Sequence, residues 1–150
     1  MPFIDKAFGE MLAIATALGD ERINRRPDLP GSNSPYVIIT HCVGVTSHWL
    51  GTVVARRRNT RNRPSEFRAV GTIAQLHMAV AAALEQCHKD ILLVGNKALG
   101  DLTEAAGVGS LPTLGPGQQH TESDVLLLVY TELAQHLGQL ELTRDTLLAE

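Results

Sequence analysis

Cysteine is scarce in this chain of 150 residues, which has two, Cys42 and Cys87. Two are too few for the disulfide framework of a small secreted domain. Aromatic residues make up only 4%. Leucine, alanine and valine dominate the apolar set, which favours helix packed on helix over a β-sandwich. Positive charge is not in excess. Thirteen Lys and Arg stand against sixteen Asp and Glu, for a formal net charge of -3, so a general nucleic-acid binder is not expected. No run of about 18 purely apolar residues marks a membrane span. The N-terminal stretch MPFIDKAFGEMLAIATALG carries Asp5, Lys6 and Glu10, which interrupt the apolar core a signal peptide needs. The expectation is a cytoplasmic protein with no membrane association. Internal repeats are absent too. What the chain does have is 44% hydrophobic residues, enough for the core of one globular domain over 1–150.

Helical periodicity organises most of that apolar material. The first helix is expected from Pro2 to about Arg25, with Phe8, Met11, Leu12, Ala15 and Leu18 on one face. The stretch RRPDLPGSNSP then breaks the pattern with three prolines and a glycine. Ser34 before Pro35 is an N-cap followed by proline at the first helical position. A second helix is expected from there to about Arg57, with Ile38, His41, Val45, His48 or Trp49, and Thr52 inward. Gly44 and Gly51 weaken it intrinsically and permit a neighbour to pack closely. A third helix is expected from about Thr72 to Leu93, with Ile73, Leu76, Val80, Ala83, Leu84, Cys87 and Ile91 in a stripe. Residues 95–120 form a long glycine- and proline-containing connection. Within it DLTEAAG reads as a short helix with Asp101 as N-cap, Glu104 three residues on and Gly107 as the stop. The rest, VGSLPTLGPGQQH, is expected to drape over one end of the helices. The last helix is expected from Thr121 or Ser123 to Leu148. Four amphipathic helices of about 18 to 25 residues predict an all-α, four-helix bundle.

Two polar residues sit on the inner stripe of the last helix. Val125, Val129, Glu132, His136, Leu140, Thr143 and Leu147 share one line, so Glu132 and His136 fall where apolar side chains are expected. At i, i+4 their Cβ atoms lie about 5–6 Å apart, a suitable bite for one ion. His41 interrupts the stripe of the second helix in the same way. A buried carboxylate needs a partner. A divalent metal held by His41, Glu132 and His136 would supply it; this donor set suits zinc first, and nickel or iron as well. Three protein ligands leave open coordination positions, as catalytic sites do. Spacing alone leaves two other readings open: a hydrogen-bonded core pair, or a rotated helix that exposes both residues.

Other polar features carry less. His48 lies two turns beyond His41 and is a candidate pocket or outer-shell group. His77 and His88 read as flank or surface residues, and His120 as the approach to the last helix. Five arginines between Arg56 and Arg63 fit a helix C-terminus and its exit loop. Without interleaved aromatics, they do not predict nucleic-acid binding. Cys42, about 100° around the helix from His41, reads as a small core residue rather than a nucleophile.

The segments NSPYVIITHCVGVTSHWLG and TELAQHLGQLELTRDTLL, with EFRAVGT between them, resemble the DinB-like superfamily of damage-inducible helical-bundle proteins, which includes mycothiol-dependent maleylpyruvate isomerase and the bacillithiol transferases. The similarity is carried by Asn33, Ser34, Pro35, Tyr36, His41 and Trp49, then Glu66 to Thr72, then His136, Gly138, Gln139 and Arg144, and it spans nearly the whole chain. It implies a metal site drawing one histidine from the second helix, here His41, and two ligands four residues apart on the last helix, here Glu132 and His136. Many relatives carry histidine at the positions of Glu132 and Gln139; the maleylpyruvate isomerase branch is similar to this chain in having glutamate at the first. The resemblance implies a metal-dependent S-transferase or isomerase that presents a low-molecular-weight thiol of the mycothiol type to a small electrophile, with Gln139 or His48 orienting a ligand. It also implies a homodimer with a role in stress responses. Metal-assisted hydrolysis and non-catalytic metal binding are the alternative expectations.

Overall fold

The computed structural model of the chain describes residues 2–95, 97–99 and 119–150. Among them the fold is all-α, with no strand. In chain order the elements are α1 (Pro2–Arg22), α2 (Pro35–Thr46), a π-helix (Ser47–Val54), a one-turn α3 (Arg63–Glu66), α4 (Ile73–Ile91) and α5 (Glu122–Ala149). The short helix expected over Asp101 to Gly107 and most of the draping segment lie outside the described residues.

The helix starts follow their capping chemistry. The Ser34 hydroxyl accepts from Val37 N, and Pro35 sits at the first helical position. Thr72 and Gln75 form a reciprocal capping box at the start of α4, and Thr121 and Asp124 form another at the start of α5. Thr72→Ala removes one acceptor from an otherwise unsatisfied turn, so it is expected to cost about 1 kcal/mol, read as a lower urea midpoint. Before α5, Leu99 N donates to His120 O and Glu122 N to Lys97 O, which ties the incoming chain to the helix start.

Two ends differ from the periodicity. α1 closes at Arg22 rather than Arg25, and inside it Gly19, at φ 75° and ψ 164°, kinks the helical path. The second helix does not run unbroken to Arg57. It widens into a π-helix after Thr46 and stops at Val54, with Ala55 N donating to Leu50 O five residues back. Arg56, at φ 57°, then turns the chain into the left-handed region and ends the element.

α1 packs against α4 and α5, and α2 packs against the same pair from its own side; the π-helix adds to the contact with α4 and α5. Phe8, Met11, Ile39, Leu50, Leu76, Val80, Leu133, Leu140 and Leu147 are the fully buried centre of this packing. Each such side chain contributes about 1.5–3 kcal/mol by leaving water. Pro35–Val54 reaches the length and mean hydropathy (1.4) of a membrane-crossing helix. Its most apolar window is 72% buried within the fold, so packing against α4 and α5 accounts for that apolarity.

Candidate metal centre

The Ser34 cap and Pro35 fix where α2 begins, and the buried Ile38, Cys42 and Val45 fix its rotation. His41 therefore points into the seam between α2 and α5, with 8% of its surface exposed. On α5, Val125, Val129, Leu133, Leu140 and Leu147 are buried and set the helix rotation. Glu132 and His136 fall at the margin of that face, each side chain 25% exposed, with Glu132 Oε2 3.8 Å from His136 Nε2. They are thus neither core residues nor surface residues, but line the edge of the seam. The imidazoles of His41 and His136 lie 4.9 Å apart, nearly perpendicular at 84°. One donor atom from each of His41, Glu132 and His136 lies within 4.8 Å of the other two.

The remaining nitrogens are committed elsewhere. His41 Nδ1 lies 2.8 Å from Glu66 Oε2. An ionised carboxylate only accepts, so Nδ1–H donates and the Nε2 lone pair is left available. His136 Nδ1 lies 2.9 Å from Gln139 Oε1, and with that oxygen accepting, Nε2 is left available there too. Histidines that bind metals are oriented by this kind of outer partner.

Glu66 sits on the short α3, whose cap is the Asn62 side chain accepting from Ser65 N. Its carboxylate is buried and gripped by Arg61, with Nε 2.7 Å from Oε1 and Nη2 3.0 Å from Oε2. Burial alone would raise the Glu66 pKa; the hydrogen bonds from His41 and Arg61 outweigh it and hold the carboxyl below its usual range. Gly44 makes room for this arrangement. A Cβ there would lie 2.2 Å from Glu66 Oε1 and 3.3 Å from Arg61 Nε. Gly44→Ala is therefore expected to displace Glu66 and cost about 1–3 kcal/mol, measured as a lower denaturation midpoint.

Sequence reasoning placed Glu66 in a matching segment without giving it a role. Glu66 is the single acidic residue among the arginines from Arg56 to Arg68, a signal that it neutralises one of them. The arginines divide their work. Arg57 pairs with the buried Asp90, passing over Gly51, where a Cβ would meet its guanidinium. Arg61 holds Glu66, and Arg63 lies 5.4 Å above the Phe67 ring.

His48 is not among the three clustered donors. It sits half-buried on the π-helix against Trp49, in the wall of a separate cavity. His77 is exposed, and His88 reaches Asp5 of α1 at 2.6 Å. Cys42 and Cys87 are both buried free thiols. Burial pushes the Cys42 thiol far up, and that of Cys87 up to about 11, so neither is a thiolate at neutral pH. A disulfide reagent such as dithionitrobenzoate is expected to titrate neither thiol rapidly in the native protein and both after denaturation.

Comparison with curated proteins and with solved structures gives no significant match. A family model described as mycothiol-S-transferase matches residues 1–148. With that match spanning α1 to α5 and every residue of the clustered donor set, the chain belongs to the mycothiol-S-transferase family, within the DinB-like superfamily.

Proposed function

We propose that this protein is a metal-dependent S-transferase that joins a low-molecular-weight thiol, mycothiol in the first instance, to a small electrophile. In this reading the four long helical segments form the four-helix bundle of the superfamily. The observation that carries it is the convergence of His41, Glu132 and His136 within 4.8 Å, with Nδ1 of each imidazole held by an outer partner. The donor set fits one divalent cation: two imidazoles, one carboxylate, and partial solvent exposure on the α5 side for further ligands. Zinc suits it best; nickel and iron are compatible with the same donors.

His41, Glu132 and His136 would hold the cation. When bound, it would keep a coordinated thiol as the thiolate at neutral pH, the nucleophilic form. Glu66 keeps His41 protonated at Nδ1 and restrains its ring, while Arg61 fixes Glu66. Gln139 does the same for His136 from one turn along α5. Cys42, buried and with a raised pKa, supplies no competing thiolate beside the ligands. A cytoplasmic homodimer is part of the same reading, by analogy with the superfamily.

The test is turnover of protein purified without a histidine tag, with mycothiol and a generic electrophile such as chlorodinitrobenzene. Conjugate is expected with cation present and not after chelation and dialysis. Conjugation unaffected by chelation would contradict the metal requirement. Ester hydrolysis without any thiol would favour a hydrolase instead.

A further inference from the structure

A cavity of about 220 Å³ lies beside the candidate metal centre and shares a wall with it. Arg61 and Glu66 line it, whereas His41, Glu132 and His136 do not. Its other walls come from α2 and the π-helix on one side and from the loop after Arg56 on the other. That loop is pinned by Arg57 N donating to Gly51 O and by the left-handed Arg56.

The charge in this wall is unbalanced. Arg57, Arg58 and Arg61 line the cavity against one carboxylate, Glu66. Arg57 is neutralised from behind by Asp90. Glu66 is fully occupied, with Oε1 accepting from Arg61 Nε and Oε2 from Arg61 Nη2 and His41. Among the described residues no carboxylate pairs with Arg58. The neutral groups lean the same way. Asn59 Oδ1 accepts from Arg61 N, and Asn62 Oδ1 from Ser65 N. Each amide oxygen already accepts one hydrogen bond, and each NH₂ group is a donor. The wall therefore offers hydrogen-bond donors and a net positive charge at Arg58.

We propose that this cavity is a binding site for the oxyanion group of a small molecule, a carboxylate or a phosphate. A guanidinium fork matches either group with paired N–H donors. The volume is below the range of about 300–1,000 Å³ typical of sites for drug-sized ligands, so the site fits an anionic head and a few further atoms. The site does not depend on the metal reading, because its walls are assembled by protein contacts alone.

The test is titration calorimetry on metal-free protein at constant ionic strength, using inorganic phosphate, succinate and the neutral succinamide as probes. Saturable binding of phosphate or succinate, but not of succinamide, is expected. Whichever anion binds identifies the source of the oxyanion. Arg58→Gln is expected to weaken that binding by about tenfold or more, as loss of a charged hydrogen-bonding partner does. Because Arg58 is exposed, the fold should survive, as checked by circular dichroism. Arg25→Gln, which removes the distant pair with Glu150, is expected to leave binding unchanged. No saturation by either anion, equal binding of succinamide, or an unchanged affinity in Arg58→Gln would overturn the proposal.

Discussion

His136→Ala is expected to lower the affinity for a divalent cation by more than about 100-fold, beyond the 10–100-fold that loss of an outer-shell partner produces. The side chain supplies one of three clustered donors, and Gln139 already holds its other nitrogen in the orientation that leaves Nε2 available. The fold itself should be indifferent. His136 is a quarter exposed, and alanine is the better helix former on α5. Competition with a chelating dye measures the first effect and far-ultraviolet circular dichroism the second. Glu132→Gln keeps the shape but removes the charge, and a similar loss is expected. His48→Ala is the control, since that ring faces another cavity, and no change in cation affinity is expected.

Glu66→Ala is expected to damage stability and metal affinity together. It leaves Arg61, with 15% of its side chain exposed, and His41, with 10%, without their acceptor. Breaking a buried ion pair by removing one partner costs about 3–5 kcal/mol, and the lower end applies because Arg61 keeps some access to water. For a chain of this length that is a fall in melting temperature of roughly 6–12 °C in metal-free protein. Cation affinity should drop by about 10–100-fold, because the His41 ring loses the contact that orients it. Glu66→Gln separates the two roles. Its amide oxygen can still accept from His41 Nδ1–H, so affinity should recover more than stability, while Arg61 loses its counter-charge. Equal cation affinity in Glu66→Ala and the parent chain would remove Glu66 from the account of the site.

Much of the fold was legible in the sequence because the inward positions repeat with helical period. Leu76, Val80, Ala83 and Cys87 on α4 and Val125, Val129, Leu140 and Leu147 on α5 are buried as their spacing requires. The start of α2 was legible from Ser34–Pro35 because caps are local chemistry. The π-helix was not. Residues 47–54 pack against α4 and α5 with a widened turn, and no hydrophobic period records that. The kink in α1 turned on one glycine, Gly19, whose conformation the apolar stripe does not reveal.

For the site, the three donors stood out as polar interruptions in apolar stripes, and the resemblance to a known superfamily joined them. His41 is buried as its stripe required, but the two donors on α5 sit shallower than theirs did. Leu133, one position from Glu132, takes the buried place on α5, so the carboxylate and His136 sit at the rim of the seam. Glu66 and Arg61 stayed hidden for a different reason. Glu66 meets His41 across 25 residues of sequence, through a loop with no periodicity. Only the collapse of α3 onto Gly44 brings them together.

The most direct test is anomalous diffraction at the absorption edge of whatever transition metal elemental analysis finds in untagged protein. The account predicts one peak bonded to Nε2 of His41, Nε2 of His136 and a carboxylate oxygen of Glu132, at about 2.0–2.2 Å from each. A peak bonded elsewhere, or a metal-replete crystal with no density between these three side chains, would contradict it.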